Sequence, residues 1–301
     1  MDKFKINKVL FPTDFSETAN IALKQAVFLA KTAKAKLHIL HVLFPDMNFE
    51  GNAPVPHGKS YNDNLKSNVE RILKKISNKI IKENSIDVSY EVKFGVVSEQ
   101  ICSVVEDDNI DIIVMGTHGA SGVTEFFSGS NASKVSSRSN CQVITIQKDL
   151  DENGFRKIIL PISLETHSRQ KVDYVIELAK LFSSTVFIVG FTDEKDKLTQ
   201  TKVKQYVKQV EKYLLKMKIK YNSSTIFKDN FVKEIILFAK NNNADLIATM
   251  SENDFSVDHL IKGSYSKQLV NHSDIPVLTV PVFSDPDLYS YSPYLSGAVF
   301  E

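Results

Sequence analysis

The strand-like runs of this chain occur twice, in the same order. Lys8-Val-Leu-Phe-Pro-Thr-Asp14 has a counterpart in Lys157-Ile-Ile-Leu-Pro-Ile-Ser163, and Asp111-Ile-Ile-Val-Met-Gly116 in Asp245-Leu-Ile-Ala-Thr-Met250. Further along, Gly129-Ser130 matches Gly263-Ser264, and Val143-Ile-Thr-Ile146 matches Val277-Leu-Thr-Val280. Collinear similarity of this kind marks a duplicated folding unit. The junction falls in the polar stretch Asp149 to Gly154, which divides the chain into units 1–149 and 150–283 and a tyrosine-containing tail 284–301.

Within the first unit, apolar runs alternate with amphipathic segments, the pattern of parallel βαβ units. The strands are predicted at Lys8 to Pro12, Lys36 to Val42, Asp87 to Phe94, Asp111 to Met115 and Gln142 to Gln147. Helices are predicted at Thr18 to Thr32, Asn64 to Glu83, Ser98 to Asp107 and Ser130 to Ser139. The second helix carries Leu65, Val69, Ile72, Ile76 and Ile80 on one face, which is the spacing of a helix lying on a sheet. Leu43 to Asn64 is rich in Pro, Gly, Asn and His and reads as a long surface loop, a candidate lid. With 301 residues, each unit is long enough for a full core.

A formal net charge of +1 gives no global field for nucleic acid or an anionic membrane. The lysines of Lys202 to Lys218 alternate with Val203, Val207, Val210 and Leu214 at helical spacing, a solvated face and not a nucleic-acid platform. No apolar run approaches a membrane span, and the N-terminus has no signal-like apolar region. Cys102 and Cys141 both lie in apolar-periodic segments, so buried free thiols are expected, consistent with a cytoplasmic location.

Chemistry concentrates between Met115 and Asn131. A strand runs into Gly116-Thr-His-Gly119, then nine residues, then Gly129-Ser130 at the start of a helix. Glycines let main-chain N–H groups approach an anion closely, and a helix N-terminus offers further N–H groups and its positive dipole end. The pattern is one that holds phosphate. G-x-x-x-x-G-K-[ST] is absent, which argues against a P-loop ATPase, and no Cys/His cluster has zinc spacing.

This signature, the opening Phe11-Pro-Thr-Asp14-Phe-Ser16 and the strand end Leu40-His-Val42 together resemble the universal stress protein family. The resemblance covers both units and leaves out only the tail. It implies an α/β fold of two tandem Rossmann-like domains, each an open five-stranded parallel sheet in the order 3-2-1-4-5 with helices on both faces. It also implies pairing through the fifth strands, here within one chain between Val143 to Ile146 and Val277 to Val280, and leaves open a further homodimer. The nucleotide-binding branch of the family holds ATP or a related adenine nucleotide.

Carried over to this sequence, the family pattern assigns the ligand to Pro12, Thr13, Asp14, Val42, Gly116, His118, Gly119, Gly129, Ser130 and Asn131. Asp14 would accept hydrogen bonds at the nucleoside end, or else cap the first helix. Pro12 and Thr13 shape the first turn, and Val42 would offer main-chain groups to the adenine. Gly116 and Gly119 would admit ribose and phosphates, while His118 is either a phosphate contact or a solvent-exposed side chain. Gly129, Ser130 and Asn131 would hold phosphate or simply cap a helix. In an open sheet of that order, the ligand lies where the strand order reverses, between strands one and four, so Asp14 and Gly116 converge on one crevice.

The second unit departs from the pattern: Ser163 replaces the aspartate, Met250 the first glycine and Asn253 the second, while Gly263-Ser264 remain. A Met side chain at the strand end is expected to fill space that a ribose needs. The expectation is therefore one ATP, ADP or AMP per chain, in the first unit, with Mg2+ or Mn2+ bridging its phosphates. No general base stands within the motif, so the role is read as regulatory or stress-responsive and not as that of a fast enzyme. The alternatives are a slow ATP hydrolase, with His118 as first catalytic candidate, and an interaction module that binds no nucleotide.

Overall fold

The computed structural model describes residues 5–44, 47–50, 53–56, 59–117, 131–150, 154–251 and 264–282. In the first half, β1 (Lys8–Pro12), α1 (Glu17–Ala33) and β2 (Lys36–Leu43) are followed by a hairpin of β3 (Met47–Glu50) and β4 (Ala53–Pro56). Then come α2 (Lys59–Asn84), β5 (Val88–Phe94), α3 (Val97–Asp107), β6 (Ile112–Gly116), α4 (Asn131–Arg138) and β7 (Gln142–Ile146). The second half runs β8 (Lys157–Ile162), a 3-10 turn (Thr166–Arg169), α5 (Val172–Phe182), β9 (Thr185–Thr192), α6 (Lys197–Lys216) and β10 (Lys220–Phe227). It closes with α7 (Phe231–Asn241), β11 (Leu246–Met250), α8 (Tyr265–His272) and β12 (Val277–Val280).

Ten strands form one sheet, ordered β10-β9-β8-β11-β12-β7-β6-β1-β2-β5. Each half is thus a parallel five-stranded sheet in the order 3-2-1-4-5, as expected. The halves join through their fifth strands. β7 and β12 pair antiparallel, Thr145 opposite Val277, Ile144 opposite Leu278 and Val143 opposite Thr279.

Parallel strands covered on both faces read as continuous apolar runs. Val9 and Phe11 point into the layer shared with α1, α2, α5 and α6, whereas Leu10 points into the layer shared with α3, α4, α7 and α8. α1 buries Ala19, Ala22, Ala26 and Ala30, small side chains that let it lie close to the sheet, and ends at Lys34 in the left-handed region (φ 57°). The duplication extends to individual bonds. Asp111 Oδ2 accepts the N–H groups of Asn7 and Lys8 at 2.7 and 2.8 Å, and Asp245 accepts those of Arg156 and Lys157 at 2.9 Å each.

Two expectations need correction. The stretch from Leu43 to Asn64 is not one long loop: β2 continues to Leu43, a hairpin follows, and α2 already begins at Lys59. Cys102 is half-buried, although Cys141 is buried and both are free thiols. Ser130, the expected start of the helix before β7, lies outside the described residues. The tail 284–301 lies outside the described residues. Among the described residues no helix is long and apolar enough to cross a membrane.

Candidate functional site

The turn between β1 and α1 is built from short-range bonds. Thr13 donates its N–H to the Leu40 carbonyl at 2.8 Å, which carries the β1–β2 ladder one step past Pro12. Its Oγ1 accepts the Phe15 N–H at 3.0 Å, and Asp14 Oδ1 accepts the Ser16 N–H at 3.0 Å, so two overlapping side-chain turns fold the chain back. Ser16 Oγ accepts the Ala19 N–H at 3.1 Å. Ser16 is therefore the N-cap of α1, and the capping alternative for Asp14 falls away. Asp14 is exposed at the C-terminal end of β1.

His41 holds this turn against β2. Its Nδ1 lies 2.8 Å from the Thr13 carbonyl oxygen, and its ring stacks on Phe15 with centroids 4.6 Å apart and planes 21° apart. Phe15 adopts φ 63°, an unusual conformation for a bulky residue that persists only where surroundings enforce it. Burial lowers the His41 pKa below its ordinary value, opposed by the Thr13 carbonyl and the Asp14 charge. A neutral imidazole with its proton on Nδ1 donates to the carbonyl.

β6 lies beside β1 on one side and β7 on the other, and Gly116 ends it opposite Ile146. A Cβ on Gly116 would lie 3.1 Å from the Thr18 carbonyl carbon and 3.1 Å from Thr18 Cγ2. The missing side chain thus makes room for the first turn of α1. Met250 pairs with Val280 as Gly116 pairs with Ile146, and its side chain is buried in the core layer that also holds Ile162, Val172 and Ile176.

The remaining sequence-derived residues divide into two groups. Pro12 is buried within β1, and Val42 is half-buried, its side chain against the core layer of Leu10 and Leu40. Asn131, at the first position of α4, is exposed. His118, Gly119, Gly129 and Ser130 lie outside the described residues, as do Asn253 and Gly263 of the second half.

The second half keeps one local bond of the turn and loses its carboxylate. Ser163 Oγ accepts the Glu165 N–H at 3.3 Å, the same local bond without a charge. Ile162 pairs with Gly190, as Thr13 stands beside His41. Gly190 has no space for a histidine, since even a Cβ would lie 2.7 Å from Val207 Cγ2 and 2.9 Å from Val203 Cγ1. Sequence reasoning gave His41 and Phe15 no role, although both stand in the segments that carry the resemblance. The available signal was alternation along β2, which puts His41 on the opposite face from Leu40 and Val42.

Within each half, a parallel sheet in the order 3-2-1-4-5 with helices on both faces defines a doubly wound α/β architecture. The model of the universal stress protein family matches residues 5–147 and again 154–281, and the chain belongs to that family. A universal stress protein of Methanocaldococcus jannaschii is 34% identical over 157 residues, 47% of this chain and 94% of the relative. One from Bacillus subtilis is 31% identical over 148 residues, 47% of this chain and 99% of the relative. Among solved structures, a universal stress protein from Archaeoglobus fulgidus superposes with a TM-score of 0.74 at 20% identity, covering 94% of this chain and 99% of that one. At that identity the likeness concerns the fold.

Proposed function

We propose that the chain binds one adenine nucleotide, ATP, ADP or AMP, at the sheet reversal of its first half, and that it acts as a regulatory stress protein. In this reading residues 1–149 form the binding domain, and 150–283 form a degenerate partner. The observation that carries it is the difference between the halves at equivalent points. The first has an exposed carboxylate on a turn held by Thr13, Phe15 and His41, and the second has Ser163 with Gly190 in place of the histidine.

Asp14 would accept hydrogen bonds from ribose hydroxyls or the base amine. The N-terminus of α4, with Asn131 exposed, supplies N–H groups and a positive dipole end for phosphate, completed by the glycine signature 116–130 of the sequence. Mg2+ or Mn2+ would be held chiefly by phosphate oxygens and water. Released small molecules from freshly purified, denatured protein test the reading by chromatography. An adenine nucleotide is expected; its absence, together with no heat of binding for ATP, ADP or AMP, overturns the proposal.

A further inference from the structure

At the other end of the first half, His38 of β2, Glu91 of β5 and Asp108, which caps the C-terminus of α3, converge on one point. One potential ligand atom from each lies within 4.8 Å of the others. His38 is buried (8% exposed), and the two carboxylates are half-buried. The ring is oriented from behind: Nδ1 lies 2.8 Å from Ser89 Oγ, so Nε2 is the nitrogen that faces the carboxylates. Nε2 and Glu91 Oε1 are 3.4 Å apart, long for a charge-assisted hydrogen bond. The separation equals the edge of a tetrahedron with nitrogen and oxygen ligands about 2.1 Å from a central ion, roughly 3.4 Å.

The duplication supplies an internal control. On the same scaffold the second half has Phe187 for His38, Asn222 for Ser89, Ser224 for Glu91 and Asn242 for Asp108. Every donor of the cluster is altered together, while the structural lysine is kept. Lys157 Nζ donates to the Asn242 carbonyl as Lys8 Nζ donates to the Asp108 carbonyl. Lys8 therefore has a helix-capping task common to both halves, and its 3.8 Å approach to the Asp108 carboxylate follows from that task. The cationic groups facing the cluster are Lys8 and, through neighbouring Asp107 at 3.6 Å, Lys93.

We propose that His38, Glu91 and Asp108 form a site for a divalent transition-metal ion of the zinc type, with Ser89 as positioning residue. One imidazole and two carboxylates suit such an ion, and water completes its shell. A histidine ligand whose second nitrogen is hydrogen-bonded is the usual arrangement. The site stands apart from the nucleotide crevice and does not depend on it.

The test is titration of the nucleotide-free full-length chain with Co2+, followed by visible absorption, and with Zn2+, followed by calorimetry. One Co2+ per chain is expected, displaced by Zn2+. His38→Phe and Asp108→Asn, the residues the second half carries at these points, are each expected to weaken binding by roughly tenfold or more, and Ser89→Ala by about tenfold. Far-UV circular dichroism establishes that each variant is folded. Wild-type affinity in folded Asp108→Asn, or no stoichiometric uptake of either ion by the native chain, overturns the proposal.

Discussion

The absent side chain of Gly116 faces the main chain of Thr18: a Cβ there would lie 3.1 Å from the Thr18 carbonyl carbon and 3.2 Å from its oxygen. The glycine is thus a packing requirement of α1 before it is anything else. In the second half, counting back from the left-handed C-caps Lys34 and Ser183, the first turn of α1 is replaced by the 3-10 turn Thr166–Arg169, and Met250 is accommodated. Gly116→Ala is therefore expected to lower stability by about 1 kcal/mol, because the helix start must shift by a few tenths of an ångström. Gly116→Met is expected to cost more and to impair folding as well as binding. Urea denaturation read by circular dichroism checks both; unchanged midpoints would mean that α1 yields freely at this point.

His41→Ala removes the hydrogen bond to the Thr13 carbonyl and the stack on Phe15. A loss of about 1 kcal/mol in stability is expected, with weaker nucleotide binding as the Asp14 turn loosens. His41→Asn retains a donor and should recover part of both. The native histidine also has a pH signature. Its folded pKa is lowered, so below about 6.5 the unfolded chain binds the extra proton first, and this contribution to stability is lost as pH falls.

Lys171 is fully buried where the first half has the alanine Ala22, and burial pushes its ammonium down to about 7, opposed by the Glu165 charge. Its Nζ donates to the Ser168 carbonyl. Between about 7 and the ordinary value of 10.5 the unfolded chain holds the proton and the folded chain does not, so stability rises with pH across that window. Lys171→Met is expected to stabilise the protein by on the order of 1–3 kcal/mol at pH 7, with the gain shrinking toward pH 10. Denaturant titrations at both pH values check it, and a gain that does not vary with pH would contradict the assignment.

Gly154, at the junction between the halves, has φ 91°, and a Cβ there would lie 2.8 Å from Phe28 Cε1 and 2.9 Å from Phe182 Cδ1. Its N–H donates to Gln25 Oε1 of α1 at 3.0 Å. Gly154→Ala combines an unfavourable backbone conformation with a clash between α1 and α5, and is expected to cost about 1–3 kcal/mol. Thermal unfolding by calorimetry measures the loss.

Much of this architecture was legible from periodicity and repetition. β1, β6 and β7 are short runs dominated by Val, Ile, Leu, Met and Phe, as burial on both faces requires, and the duplicated motifs located their partners β8, β11 and β12. The hairpin of β3 and β4 was missed because Pro54 and Pro56 lie within it, and proline reads as a strand breaker. The candidate site was read from the sequence as a set of residues, and the contacts that shape it were not. Asp14 stood out, yet the reason for Gly116 lies in a contact with Thr18 nearly a hundred positions earlier, which no local pattern encodes. His41 and the His38 cluster depend on the β1–β2 and β2–β5 registers, which a sequence without its fold does not display.

The central claim is one adenine nucleotide per chain, held at the Asp14 turn. Isothermal titration of nucleotide-free protein with ATP, ADP and AMP, repeated with Asp14→Ala, tests it most directly. Asp14 is exposed and Ser16 caps α1, so the variant should remain folded. The account predicts one site per chain in the native protein and at least tenfold weaker binding in the variant, about 1.4 kcal/mol or more. No binding, two equivalent sites, or unchanged affinity in Asp14→Ala would contradict it.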